Sequence, residues 1–456
     1  MKRSNSTDRG VTSTTAVSPV RSGPLGAASP HRPIPVAVVI TRLTGGAGVL
    51  ALRGALALDP EMFALTIVTG SGDRLLDEAE AAGLEVIVEP SLCVPITARN
   101  DARAMRRLLR LFGSRHFVVV HTHCAKAGAL GRLAAHRVGV PWIVHTYHGF
   151  PFHEYQSVAR RRAYVSIERW LGRFTNLALC VGTGVAAEAV RRQLVAPERI
   201  RTIGVSVDGP DVAAASMSAR KPRERRRARA ALGLPADAAV IGNVGRLTYQ
   251  KAPEDFLSAM VALGRPEVIG VWVGGGELAE HIGRLARSLS GTRVVLAGER
   301  TDVLAVLPAF DVFALTSRYE GLPTAIVEAM ICGIPVVATA VNGVPDLVVP
   351  GETGVLVPPR RPDLMAGAVG HLLDTPANAA RMATTAHSRL GDRFGEPALR
   401  KALEAAYLPL ARTEGQAPAD WGHAERRAPD PRLCSTRWKA PNTDTTDRFE
   451  VMSQDR

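Results

Sequence analysis

Two carboxylates and two cations are the residues whose types and spacing best support chemistry in this chain. Glu320 and Glu328 bracket Gly321-Leu322-Pro323, and Glu328 is the one charged residue between Gly321 and Pro345. On a helix, its neighbours three and four positions away are Thr324, Ala325, Ile331 and Cys332, a small and mostly apolar face. A buried carboxylate without a partner is costly. Glu328 is therefore expected either to cap another element or to accept hydrogen bonds from ligand hydroxyls. Arg246 and Lys251, in Gly245-Arg246-Leu247-Thr248-Tyr249-Gln250-Lys251, place two cations just ahead of a helix opening at Pro253. Cations beside the positive end of a helix suit a diphosphate, although two exposed surface charges are the plainer alternative.

Other residue groups suggest chemistry less specifically. His121-Thr122-His123 and His145-Thr146-Tyr147-His148-Gly149-Phe150 are expected in loops at strand ends, offering a hydrogen-bonding or proton-handling histidine to a cleft. With Cys124 they also raise the question of a metal, but neither stretch contains Asp or Glu, so no metal is expected. Thr41 to Gly48 carries Gly45 and Gly46 between a strand and a helix, where backbone N–H groups can approach an anion; a tight turn explains the glycines equally well. Gly274-Gly275-Gly276-Glu277-Leu278-Ala279, with Glu299 after the next strand, fits a dinucleotide-binding pattern weakly.

The elements that must position these groups read as an alternation of buried strands and helices. Ile34 to Ile40, Phe63 to Val68, Leu84 to Val88, Phe117 to His121 and Pro141 to His145 are the expected strands of the first half. Ala239 to Val244, Val268 to Val273, Arg293 to Leu296, Val312 to Leu315 and Val336 to Thr339 are those of the second, with Gly351 to Val357 ending the sheet. Such alternation implies an α/β chain with two doubly wound, Rossmann-like domains. The expected division is a disordered tail 1–33, an N-terminal domain 34–208, a linker and basic segment 209–238 and a C-terminal domain 239–390. A helix at 391–411 returns to the first domain, and 412–456 is a second disordered tail.

Composition narrows the class. The 456 residues carry a net charge of +13, 46% hydrophobic and 5% aromatic residues. The basic residues form helical stripes without interleaved aromatics, which argues against nucleic acid. Arg103, Arg106, Arg107 and Arg110 share one helix, and Arg160, Arg161, Arg162, Arg169 and Arg173 another. Basic amphipathic helices of this kind can rest on an anionic membrane, so a peripheral position on the inner face of the cell membrane is expected beside a cytoplasmic one. The scattered cysteines 93, 124, 180, 332 and 434 suit a reducing compartment. No secretory leader or membrane-spanning run is read.

Several motifs in combination resemble the retaining family 4 glycosyltransferases of GT-B fold, over about residues 34–410. They are G-R-L-T-Y-Q-K, E-G-L-P-T-A-I-V-E, V-H-T-H-C-A-K-A-G and H-T-Y-H-G-F-P-F-H-E-Y. The likeness is greatest to bacterial members that build lipid-linked or surface polysaccharides. It implies a nucleoside-diphosphate sugar, a UDP-sugar favoured, as co-substrate, no separate cofactor, and a glycan or lipid-linked acceptor. By this resemblance Glu328 holds the ribose, and Arg246 with Lys251 the diphosphate. Glu320 with the backbone of Gly321 and Leu322 takes the sugar, while Glu299 and Arg300 flank the base. His148 acts near the anomeric carbon, and Gly45 and Gly46 approach the phosphates or the acceptor. His123 and Lys126 fall on the acceptor side.

Three positions depart from the family pattern: Gly48 where an acidic residue is frequent, Gly182 where Cys-Val-Ser is usual, and Val205-Ser206 in place of Asn-Gly. Three other readings remain. One is a sugar-nucleotide epimerase or inverting transferase of the same fold. Another is a nicotinamide oxidoreductase resting on the triple glycine, and the last is an inactive member that acts by interaction.

Overall fold

The computed structural model describes residues 33–205, 222–390 and 394–408. The two tails expected to be disordered lie almost wholly outside that range, as do Ser206, Val207 and Asp208.

Two wholly parallel sheets form the frame. The first contains β1 (Ile34–Ile40), β2 (Phe63–Thr69), β3 (Glu85–Val88), β4 (Val119–His123), β5 (Trp142–Tyr147), β6 (Leu177–Cys180) and β7 (Ile200–Thr202), in the order β3-β2-β1-β4-β5-β6-β7. The second contains β8 (Ala239–Val244), β9 (Val268–Val273), β10 (Arg293–Gly298), β11 (Val312–Leu315), β12 (Val336–Thr339) and β13 (Val355–Val357), in the order β10-β9-β8-β11-β12-β13. Helices connect successive strands, which is how parallel neighbours must be joined, and cover the sheets. The two doubly wound, Rossmann-like units expected from the alternation are both present.

Strand order reverses between β1 and β4 in one sheet and between β8 and β11 in the other. The carboxyl ends of strands at such a reversal open a crevice, and ligands in open α/β sheets bind there. The loops after β1, β4, β8 and β11 are the ones that hold the glycine pair, Cys124, the two cations and Glu320.

Three local expectations are corrected. First, β4 and β5 each run two residues further than expected, so Thr122, His123, Thr146 and Tyr147 are buried strand residues and not loop residues. Glycines on the following helix, Ala125–Val138, make the room. A Cβ on Gly128 would lie 2.5 Å from the His145 ring, and one on Gly131 would lie 2.7 Å from the Thr122 methyl. Second, the triple glycine is a packing device. Leu247 N donates to Gly275 O and Leu278 N to Leu247 O, so this segment braces the loop that carries Arg246. A Cβ on Gly274 would sit 2.2 Å from the Gly245 carbonyl oxygen. Third, part of the stretch expected as linker is the helix Pro222–Ala231. Its Arg229 is buried and paired with Asp311 at 2.9 Å, which ties the helix to the second sheet.

The helix Glu396–Tyr407 packs against the first unit. Trp142 Nε1 donates to Ala406 O at 3.0 Å, and the Tyr407 hydroxyl lies 2.6 Å from His121 Nδ1. No helix among the described residues is long and apolar enough to cross a membrane.

Candidate functional site

Between the two sheets lies a cleft of about 720 Å³. The first unit lines it with Gly46, Cys124 and His148, and the second with Arg246, Lys251, Glu320, Gly321 and Leu322. The two walls meet through bare backbone. A Cβ on Gly321 would be 1.8 Å from the His148 carbonyl oxygen, and one on Gly184 would be 2.2 Å from the Asn342 carbonyl oxygen. Glycine is required there because the chains approach closer than any side chain permits.

Lys251 and Glu320 form an ion pair at 2.5 Å across the β8–β11 reversal. The same Glu320 oxygen accepts from Ser317 Oγ at 2.5 Å, and Gln250 Nε2 lies 3.4 Å from the other oxygen. Asn342 Oδ1 accepts from Glu320 N at 3.0 Å. Thr316 Oγ1 donates to the adjacent carbonyls of Lys251 and Ala252, at 3.0 and 3.1 Å, holding the lysine's backbone against the strand end. This arrangement keeps a lysine ammonium oriented in a partly enclosed space, with its charge balanced until an anion arrives. Arg246 lines the same cleft, exposed, and makes no hydrogen bond or ion pair among the described residues.

The histidines form a connected set. His123 Nδ1 and His148 Nε2 are 2.9 Å apart, and the His121 and His123 rings meet at a tilt of 35° with centres 4.3 Å apart. His121 Nε2 is also 2.7 Å from Thr146 Oγ1, and His145 Nδ1 is 2.8 Å from Thr122 Oγ1. Burial pushes His148 down to about 4, so it presents a neutral ring to the cleft and acts as a hydrogen-bonding group, not a cation. His121 falls to about 3 for the same reason, with His148 adding to the effect.

Of the residues singled out from sequence, the structure brings Gly46, His148, Arg246, Lys251, Glu320, Gly321 and Leu322 to one cleft. The others lie off its lining. Glu328 is half-buried on the helix Thr324–Ile331, and its carboxyl group has no hydrogen-bond or ion-pair partner among the described residues. Burial pushes its carboxyl up to about 7, opposed by the charge of Lys251. Gly45 starts its helix at φ +60°, one residue behind Gly46. Glu299 is exposed beside the triple glycine, and Arg300 forms a bidentate pair with Asp302. His123 is buried behind His148, while Lys126 pairs with Asp101 at 2.5 Å.

Sequence reasoning did not single out Arg318, Gln250 or Asn342, which also line the cleft. Arg318 stacks over Tyr249 at 4.2 Å and pairs with Asp255 at 3.5 Å. Its signal was its place in Ser-Arg-Tyr-Glu, the loop after β11. The contribution of Asn342 depends on tertiary contacts alone. His153 stacks on Tyr319 across the cleft, 4.3 Å between ring centres.

The amino-acid sequence matches the family model Glycosyltransferase Family 4 over residues 44–208, and Glycosyl transferases group 1 over residues 224–389. A UDP-Gal:alpha-D-GlcNAc-diphosphoundecaprenol alpha-1,3-galactosyltransferase of Escherichia coli is 30% identical over 322 residues, covering 69% of this chain and 81% of that protein. A D-inositol 3-phosphate glycosyltransferase of Mycobacterium leprae is 35% identical over 266 residues, covering 57% of this chain and 61% of that protein. Among solved structures, Anabaena Alr3699/HepE in complex with UDP and glucose superposes with a TM-score of 0.69 at 20% identity, covering 83% of this chain and 100% of that one. WaaG, a glycosyltransferase involved in lipopolysaccharide biosynthesis, superposes at 0.62 with 17% identity, covering 81% and 99%.

Proposed function

The chain belongs to the group 1 and family 4 glycosyltransferases and depends on a nucleotide sugar, and we propose that it transfers that sugar with retention of anomeric configuration and without a metal, to a hydroxyl of a glycan or lipid-linked acceptor. The observation that carries this reading is the convergence of Arg246, Lys251, Glu320 and the Gly321-Leu322 backbone opposite His148 in one cleft. Arg246 and Lys251 take the diphosphate, and Glu320 with the Gly321 and Leu322 backbone takes hydroxyls of the donor sugar. His148 faces the anomeric carbon. Glu328 holds the ribose, with its carboxylate free for that purpose. Glu299 and Arg300 flank the base.

Transfer proceeds on the front face. The bond from the anomeric carbon to the diphosphate oxygen breaks as the bond to the acceptor oxygen forms, and the acceptor's proton passes to the departing phosphate. The cations supply the stabilisation of developing charge that a bound metal ion supplies elsewhere. A double displacement would need a carboxylate free to attack the opposite face. Glu320 is ill suited to that, since Lys251, Ser317 and Gln250 already engage its oxygens.

The test is turnover of UDP-galactose, UDP-glucose, GDP-mannose and ADP-glucose in EDTA, with the product's anomeric configuration read by NMR. Retained configuration at undiminished rate is expected. An inverted product overturns the front-face route, and loss of rate in EDTA restored by Mg²⁺ or Mn²⁺ overturns metal independence.

A further inference from the structure

The helix Val158–Gly172 carries Arg160, Arg161 and Arg162 in and just after its first turn and has no acidic residue there. This is the positive end of the helix dipole, where cations are disfavoured. Nothing in the helix's own packing requires the charges. Its inner face is held by Glu168, which pairs with Arg132 at 2.8 Å in the core and accepts from the Tyr147 hydroxyl at 3.1 Å. Arg160 lies over the Tyr164 ring, 5.7 Å from its centre, whereas Arg161 and Arg162 stand at this unfavourable place without such a contact among the described residues.

Arg161, Arg162, Arg169 and Arg192 line a recess of about 460 Å³ on this face. Arg169 Nε donates to Arg192 O at 2.7 Å, and Arg192 Nε donates to Glu188 at 2.9 Å, so these two are braced. Arg161 is half-buried, and neither its guanidinium nor that of Arg162 has a hydrogen-bond or ion-pair partner among the described residues. Arg161 and Arg192 also line the main cleft, so the recess adjoins it.

We propose that this recess binds the phosphate or diphosphate group of the acceptor, placing the acceptor's hydroxyl in the cleft; this rests on the transferase reading above. Guanidinium groups match phosphate oxygens in pairs, and an anion at the helix's first turn offsets both the arginine charges and the dipole. A membrane surface would need outward-facing cations only. Continuity with the cleft and the half-burial of Arg161 favour a group attached to the substrate.

The probe is geranyl diphosphate, measured by calorimetry on the full chain saturated with whichever of UDP, GDP or ADP raises its melting temperature. Arg161→Gln with Arg162→Gln should weaken binding by about tenfold or more, whereas Arg160→Gln, outside the recess, should leave it within about twofold. Arg161→Lys with Arg162→Lys should recover part of the loss, which separates charge loss from misfolding. Two results would each overturn the proposal: no binding of geranyl diphosphate, or a loss in the Arg160→Gln protein as large as that in the Arg161→Gln, Arg162→Gln protein. Failure of all three nucleotides to bind counts against the donor site instead, and the geranyl diphosphate arm is then read without them.

Discussion

Lys251 and Glu328 carry the most specific expectations at the scale of single residues. Lys251→Ala removes the one ammonium held in the cleft by Glu320. Turnover should fall by about 10²-fold or more, the range for loss of a preorganised charge stabiliser, with donor hydrolysis reduced in parallel. Near-normal turnover would remove Lys251 from the leaving-group site. Glu328 should report through pH. Its carboxyl is raised from 4.5 to about 7 by burial, so between those values the folded chain keeps a proton that the unfolded chain has released. Stability must therefore fall as pH rises through that window. Glu328→Gln removes the effect, and its melting temperature relative to the parent should climb from pH 4.5 to 7 and level off above. Ribose hydroxyls favour the ionised carboxylate, so nucleotide affinity in the parent should rise through pH 7 and this rise should be absent in the variant. Calorimetric titrations at pH 6 and 8 decide it.

At the scale of elements, the loops at the two strand-order reversals set the geometry, and their glycines set the distance between walls. Gly321→Ala introduces a Cβ 1.8 Å from the His148 carbonyl oxygen, which no rotamer relieves. The walls must separate, and turnover should drop by about 10²-fold, the penalty that a displacement of about 1 Å imposes on an aligned reaction. Small-angle scattering should show a larger radius of gyration, and an unchanged radius with full activity would mean that the seam is not closed in solution. Gly182 belongs to the same seam. Its Cβ position is 2.6 Å from Asp346 Oδ2, and that carboxylate accepts from Thr183 N at 2.5 Å. The absence of the usual serine is thus matched by an aspartate that occupies its space.

At the scale of the whole molecule, the last helix makes the first unit dependent on the far end of the chain. Tyr407 and His121 are buried partners 286 residues apart. Tyr407→Phe leaves His121 Nδ1 without that partner, at a cost of about 1–3 kcal/mol. Chemical denaturation should show this as a lower midpoint, and an unchanged midpoint would mean water replaces the hydroxyl. His121 also packs on His123, which bonds His148 in the cleft, so the same variant tests whether the helix helps to hold the cleft histidine. A fall in kcat beyond that explained by unfolding would show that it does.

The sequence by itself determined the six strands of the second sheet, five of the seven strands of the first, with β6 and β7 unread, and seven cleft residues. Runs such as Val36–Ile40 and Val268–Val273 are buried throughout, and a loop directly after a strand at the sheet's reversal can face only the crevice. It did not reveal that these strands run on through His123 and Tyr147, because the space beside Thr122 and His145 comes from glycines on the next helix. Nor could it separate the triple glycine's packing role from phosphate binding, since both need a bare backbone. Partners distant in sequence were decided only by tertiary structure. Asn342 came to Glu320 and Tyr407 to His121 because the sheet order places them there. The pairing of Lys251 with Glu320 has the same origin: each was visible as a charge at a strand end, but that one neutralises the other follows from β8 and β11 being neighbours.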